Sequence, residues 1–324
     1  MPTPPRYSII VPVYNRPEEV AELLQSLVEQ TLQTFEVIIV EDGSSHPCHA
    51  EVDRYKEHLS IQYHSIPNGG PSKARNAGSM WAEGEYIIIL DSDVILPPQY
   101  IASIEQALQC YQEQGKPLDA FGGPDAAHTD FTTIQKAINY SMTSFLTTGG
   151  IRGGKKRISH YYPRSFNLGC RTALYKEMGG FDTSMRYGED LDFSMRLHER
   201  GAHVRLIPEA FVYHKRRSTF AQFFRQVFKF GGARVALSRR HRGSLRPIHL
   251  LPSVGTIGLS LLFLGGVISL WSWLPIGGLT LLFFLDALQQ TRSLKVAGCA
   301  VIASFIQIFG YGLGLITALF SHST

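Results

Sequence analysis

The sequence predicts an α/β fold, a mostly parallel sheet flanked by helices, followed by a C-terminal helical membrane region. Three observations carry that expectation. Short apolar runs alternate with helical stretches over residues 7–215, the pattern of strands joined by helical crossovers. Each of three apolar runs ends in a polar cluster: PVYN, EDGS and DSD. Beyond residue 247, long stretches carry almost no charge, and a helix of that length crosses a hydrocarbon layer of about 30 Å.

Taken in order, Tyr7–Val13 is a short apolar strand. Residues 17–30 repeat apolar positions at helical spacing through Val20, Leu23, Leu24 and Leu27, with Pro17 near the start and acidic residues in the first turn. Residues 35–40 form the second strand, 61–65 a weaker third, and 72–82 a second helix. Tyr86–Leu90 is apolar throughout, which suits a strand covered on both faces. Ligands of open α/β sheets bind outside the carboxyl ends of the strands, so three polar clusters on that edge predict a site. The chain has no GxGxxG after a strand, no Walker loop and no GxSxG, which leaves dinucleotide, P-loop and serine-hydrolase chemistry without support.

The formal charge is +4, unevenly spread. Ten Lys or Arg and no acid lie between Lys215 and Arg246, leaving 21 basic against 27 acidic residues elsewhere. Such a block implies an anionic partner, nucleic acid or a membrane surface. Its direct continuation into an apolar span favours membrane lipids and no nucleic acid, and sets that flank in the cytoplasm. Residues 248–270 and 297–320 are the two long apolar stretches; residues 273–288, ending near Asp286, form a third span or a re-entrant segment. Three spans are expected. The N-terminus has no basic segment followed by a long apolar one, so the first domain is expected in the cytoplasm. Cys48, Cys110, Cys170 and Cys299 lie far apart with no CxxC pair, which suits free thiols in a reducing compartment. The expected organisation is a domain over residues 1–215, a basic amphipathic interfacial helix and linker over 216–247, and the membrane region over 248–324.

Asp91 and Asp93 project the same way on an extended chain, with Ser92 turned aside. Two such carboxylates either cap a strand-end turn or share a cation, since unpaired burial is costly. A hard divalent ion would leave positions for phosphate oxygens. Glu189 and Asp190 follow a glycine at the start of a helical repeat, where the helix dipole keeps a carboxylate ionised; a plain N-cap is the alternative.

SIIVPVYNRPEEV, VIIVEDGSS, NGGPSKARNAG, ILDSDV and GGFDTSMRYGEDLDFSMRL, in that order, resemble the family-2 glycosyltransferases of the GT-A fold, over about residues 7–215. The resemblance implies an inverting, metal-dependent transferase that moves a sugar from a nucleotide-sugar donor in cell-surface or cell-envelope glycan synthesis, using Mg2+ or Mn2+. It implies an integral protein of a bacterial inner membrane with its catalytic domain in the cytoplasm. Pro12, Val13, Tyr14 and Asp42 would hold the nucleobase and ribose, with Lys73 and Arg75 near the donor. Asp91 would contact the nucleoside side, and Asp93 the metal bridging the diphosphate. Asp190, paired with Glu189, would be the base that takes the acceptor proton, since a hydroxyl is a poor nucleophile. His214 would complete the metal coordination, or stand as a satisfied imidazole. Asn167 and Gly169 would shape the acceptor pocket. Asp192 is structural. Arg152, Lys155, Lys156 and Arg157, among glycines, form a basic loop that either grips a phosphate or is simply solvated. Asp42 favours a UDP-sugar, because a carboxylate accepts from an imide N–H, although guanine and thymine offer one too.

Phe220, Phe223, Phe224, Val227 and Phe228 lie at helical spacing with Arg225 and Lys229 nearby, which predicts a helix seated in the membrane interface, aromatic side down. Processive members of the family carry QxxRW about here. This chain has Gln222 and Arg225, the latter an acceptor-side candidate, but Gln226 where the Trp would be. Transfer of a single sugar to a membrane-associated, lipid-linked or other glycan acceptor is therefore expected. The alternatives are a processive polysaccharide synthase and a non-catalytic nucleotide-sugar-binding membrane protein.

Overall fold

The structure is a computed structural model that describes residues 4–126, 131–148 and 161–321. These fall into two compact units, one of residues 4–126 and 161–214, the other of residues 131–148 and 215–321.

The first unit is built on β1 (Tyr7–Val13), β2 (Phe35–Asp42), β3 (Ile61–Ile66), β4 (Tyr86–Leu90), β5 (Val94–Ile95), β6 (Ala120–Gly122), β7 (Asp125–Ala126), β8 (Asn167–Arg171), β9 (Val204–Leu206) and β10 (Val212–His214). Seven of them form one sheet in the order β3-β2-β1-β4-β8-β6-β9. Pairing is parallel except around β8, which runs antiparallel to both β4 and β6. The register sets Val13 opposite Glu41 and Ile10 opposite Ile89, so PVYN, EDGS and DSD leave the sheet on the same edge.

Alternating residues of β1 cover both faces. Ile9, Val11 and Val13 pack with Val20, Leu23, Leu24 and Leu27 of the Pro17–Val28 helix. Ile10 joins Ala74, Phe181 and Phe193 on the opposite face. A Cβ at Gly78 would fall 2.5 Å from Ile10 Cγ2, so the Pro71–Trp81 helix needs a glycine to lie this close to the sheet. A second sheet, β5-β10-β7, pairs His214 with Val94. That short pairing carries His214 to the residue after Asp93.

The second unit differs from its expected composition. Residues 131–148 were assigned by sequence to the first domain, yet they belong here. On the Thr133–Thr143 helix, Ala137 and Tyr140 pack with Ala287, Val296, Ala297 and Ala300, and Ile138 and Met142 with Phe223, Val227 and Ala303. Apolar burial on two flanks decides the placement. Among the described residues, three helices are long and apolar enough to cross a membrane: Pro247–Gly265, Leu270–Thr291 and Leu294–Phe320. The segment left open as a span or a re-entrant stretch is thus a helix of 22 residues.

The Phe220–Arg240 helix is N-capped by Thr219, whose hydroxyl accepts the Gln222 amide at 3.2 Å. Its aromatic stripe corrects the expectation of a lipid-facing side. Phe223 and Val227 are fully buried, and the face packs on the Leu294–Phe320 helix. A Cβ at Gly310 would lie 2.4 Å from Val227 Cγ2, and one at Gly314 only 1.9 Å from the Phe228 carbonyl oxygen. Glycines on the facing helix let the backbones meet, and the aromatic side is used for helix packing.

Candidate active site

The site lies at the strand-end edge of the first unit and is a chain of alternating charges. Asp93, next to β5, presents Oδ2 to Arg16 Nη1 at 2.6 Å and Oδ1 to His214 Nε2 at 3.1 Å. Burial alone would raise the Asp93 pKa; the facing His214 ring and the Arg16 guanidinium outweigh it and hold the carboxyl well below the usual range. The His214 ring stacks on Phe166 with centroids 4.9 Å apart, which fixes its plane.

Asp91 belongs to a second pairing. Arg75, in the Pro71–Trp81 helix, donates from Nη2 to Asp91 Oδ1 at 2.7 Å and from Nη1 to Glu189 Oε1 at 3.0 Å. Its guanidinium lies 5.4 Å from the centroid of the Phe181 ring. Sequence reasoning set Arg75 near the donor. It is buried at this edge, a fixed cation between two carboxylates, because three acids converge here and burial without a counter-charge is costly.

Glu189 and Asp190 open the Glu189–Glu199 helix after Gly188, whose φ of +84° is a left-handed conformation suited to glycine. Burial and the adjacent Asp190 charge push the Glu189 carboxyl up to about 7 despite Arg75. Asp190 Oδ1 accepts the Leu191 amide at 2.8 Å, and its Oδ2 is 3.5 Å from Arg164 Nη1. The loop before this helix is held by Asn76: its Oδ1 accepts the Phe181 amide at 2.9 Å and its Nδ2 donates to the Phe181 carbonyl at 2.8 Å. Asp192 accepts from Arg196 at 2.9 Å, the structural part expected of it.

The donor-side candidates of β1 and β2 occupy the same edge. Val13 is buried and Tyr14 is 53% exposed, an open aromatic face. Asp42 is buried, and its two oxygens accept the amides of Gly69 at 2.7 Å and Gly70 at 2.9 Å. The carboxylate thus shapes the NGG turn, which removes the basis for reading uridine directly. Lys73 is exposed in the first turn of the following helix, its Cδ 2.3 Å from where a Gly69 Cβ would be. Pro12 precedes Val13 at the strand end, partly buried.

Of the acceptor-side candidates, Asn167 stands opposite Leu90, at the end of the sheet where DSD begins. Asn167 is buried, donating to the Ala210 carbonyl at 2.8 Å and accepting from Tyr100 at 2.7 Å. Gly169 lies against Phe121, where a Cβ would fall 2.1 Å from the ring. Both stand on β8, an interior strand, where the Asn167 side chain is buried and the missing side chain of Gly169 leaves room for the Phe121 ring. Arg225 is exposed on a helix of the other unit. Arg152, Lys155, Lys156 and Arg157 lie outside the described residues.

Sequence reasoning missed Asn15, Arg16, Glu41 and Arg164. Asn15, with φ +54°, donates its amide to Ser44 Oγ at 2.8 Å and accepts from the His46 amide at 2.9 Å, tying PVYN to EDGS. Glu41 accepts from the Cys48 amide at 3.0 Å, from Tyr63 at 3.1 Å and from Ser44. The motif letters YNR and VED held the signal, but partners such as Ser44, 29 residues from Asn15, and Asp93, 77 residues from Arg16, did not show in it.

A divalent cation fits the residues present. Asp91, Asp93 and His214 each bring one ligand atom to within 4.8 Å of the others. Asp93 Oδ1 is buried and faces His214 Nε2 at 3.1 Å without a well-aligned hydrogen bond. Two carboxylates with one imidazole form a hard, oxygen-rich set that suits Mn2+ or Mg2+.

Residues 8–177 match the family model described as Glycosyl transferase family 2, and residues 165–285 the one described as Glycosyl transferase family group 2. The pre-mycofactocin glycosyltransferase of Mycobacterium tuberculosis is 25% identical over 286 residues, 83% of this chain and 53% of that protein. An uncharacterized glycosyltransferase of Haemophilus influenzae is 30% identical over 205 residues, 59% of this chain and 61% of the relative. The chain thus spans between 53% and 61% of the length of these curated relatives. Among solved structures, the mannosyltransferase PcManGT from Pyrobaculum calidifontis, in complex with GDP-Man and Mn2+, gives a TM-score of 0.65 at 17% identity, covering 99% of this chain and 89% of that one. Staphylococcus aureus TarS 1-349 in complex with UDP-GlcNAc gives 0.51 at 21% identity, covering 96% and 91%. At these identities the likeness is one of fold.

Proposed function

This chain belongs to glycosyl transferase family 2, and on that premise we propose that it is an inverting, metal-dependent glycosyltransferase that moves one sugar from a nucleoside-diphosphate sugar to a lipid-linked acceptor. The observation that carries the reading is the convergence of Asp91, Asp93, His214, Glu189 and Asp190 around Arg16, Arg75 and Arg164 at one sheet edge. Asp93 and His214 would hold the divalent ion, with Asp91 beside them on the nucleoside side. Bound there, the ion would neutralise charge that develops on the leaving diphosphate. Tyr14, Val13 and Pro12 line the base and ribose, and Lys73 lies near the phosphates.

Asp190 takes the proton from the acceptor hydroxyl as it attacks the anomeric carbon from the face opposite the diphosphate, which inverts the centre. Arg75 holds Asp91 and Glu189 apart as a fixed counter-charge, so the acidic residues stay in place through the reaction.

The membrane seat and the lipid acceptor rest on the three apolar helices and on large exposed apolar side chains among them, Ile268, Leu270 and Phe320 included. The structural neighbours hold GDP-Man and UDP-GlcNAc, so the donor base is decided by assay. Membranes carrying the protein, given labelled UDP- and GDP-sugars with Mn2+ or Mg2+, should move label from one donor into the organic phase. Label found only in water-soluble product would remove the lipid acceptor. Long products on a sizing gel would replace single transfer with processive synthesis. Donor binding without turnover on any acceptor would favour the binding-protein alternative.

A further inference from the structure

Two arginines serve the DSD carboxylates, and they are held very differently. Arg75 has a side chain 5% exposed, with two ion pairs and an aromatic ring beneath it. Arg16 has a side chain 33% exposed and makes one ion pair, the 2.6 Å contact to Asp93 Oδ2. Its backbone is held, because Asn15 is tied to Ser44, Ser45 and His46 and the Pro17–Val28 helix begins one residue later. Its side chain therefore has a fixed root and a partly solvated end.

We propose that Arg16 is a resident counter-cation of Asp93, displaced when a divalent ion binds and taken up by the diphosphate of the donor. The inference rests on the reading of Asp93 as a metal ligand. A divalent ion on Asp93 and a guanidinium 2.6 Å from the same carboxylate repel each other, so each occupancy disfavours the other. Without the ion, Asp93 is buried and needs the guanidinium; with it, the guanidinium needs another anion. A diphosphate supplies one, and arginine binds phosphate oxygens through paired N–H donors. The exchange keeps the edge near charge balance before and after loading, and it makes metal and donor binding cooperative.

The test uses the full chain in detergent. Binding of Mn2+ alone is followed by the loss of the free-ion electron paramagnetic resonance signal, and binding of UDP and GDP by calorimetry at saturating Mn2+. For Arg16→Gln we expect Mn2+ to bind about tenfold tighter without nucleotide, and the nucleoside diphosphate about tenfold weaker with Mn2+ present. Arg16→Lys keeps the charge and should stay close to wild type for Mn2+. Asp93→Asn should lose the Mn2+ site. If Arg16→Gln binds Mn2+ no tighter than wild type while Asp93→Asn abolishes binding, Arg16 is a plain structural partner and the proposal falls while the metal reading stands. If Asp93→Asn binds Mn2+ like wild type, the metal reading fails and this inference with it.

Discussion

In the first unit, buried and half-buried polar side chains form a charge lattice: Arg16, Arg75 and Arg164 face Asp93, Asp91, Glu189 and Asp190 across distances of 2.6 to 3.5 Å. In the second unit, the close contacts run between backbones. Gly231 and Gly314 leave room for the Tyr311 and Phe228 carbonyls, and hydroxyls bridge helices, Ser141 to the Ala303 carbonyl at 3.1 Å and Thr256 to Ile308 at 3.1 Å. Where water borders the fold, charges can be concentrated for chemistry if each has a counter-charge. Between apolar helices, small residues and single hydroxyl bonds do the joining. The difference separates what is built for reaction from what is built for seating.

The largest expected effect breaks the charge lattice itself. Asp93→Asn should remove metal-dependent donor binding and bring transfer to background, and donor binding that still responds to Mn2+ would exclude Asp93 as a ligand. A smaller effect follows from Glu189, whose pKa is raised from 4.5 to about 7 by burial and by Asp190. The folded protein then holds a proton that the unfolded chain has released. The contribution is present below about pH 4.5 and is lost as pH rises to about 7, on the order of 3 kcal/mol. Unfolding of the metal-free protein across that range should show wild type losing stability relative to Glu189→Gln; parallel profiles would contradict the shift.

The second unit should answer to volume. At Gly314 a Cβ would meet the Phe228 carbonyl oxygen at 1.9 Å, so Gly314→Val should cost about 2 kcal/mol in detergent melts. An unchanged melting temperature would mean that the two helices do not meet there. The smallest effect is expected at Tyr140, whose hydroxyl donates to Asp286 at 2.5 Å. Tyr140→Phe should cost about 1 kcal/mol, and a loss as large as that of Gly314→Val would mean that the polar bond, not the packing, joins this helix.

Much of the first unit was legible because its central strands are continuous apolar runs. Tyr7–Val13 and Tyr86–Leu90 read directly, and both are buried on two faces. The strands that went unread, AFG in β6 and NLGCR in β8, are short and contain glycine. Their strand character comes from neighbours distant in the chain, which periodicity does not register. The same holds in the site. The carboxylates were legible in DSD and GED, since acids at a strand end and at a helix start are unusual enough to need a reason. Their cations were not, because Arg16 reaches Asp93 across 77 residues and Arg75 reaches Glu189 across 114. Asn167 and Gly169 were legible as motif letters, but the Tyr100, Ala210 and Phe121 groups that surround them come from distant segments. The Phe220–Arg240 helix misled for a related reason: an aromatic stripe looks the same whether it meets lipid or the glycines of another helix.

The central claim is that this charged edge carries out the transfer, with Asp190 as its base. The direct measurement compares sugar transfer and donor binding in wild type and Asp190→Asn, at saturating Mn2+ and a fixed membrane acceptor. The account predicts that transfer falls by about a thousandfold while donor affinity is unchanged. Transfer that persists at the wild-type rate would contradict it, and the proton would then have to leave by another group.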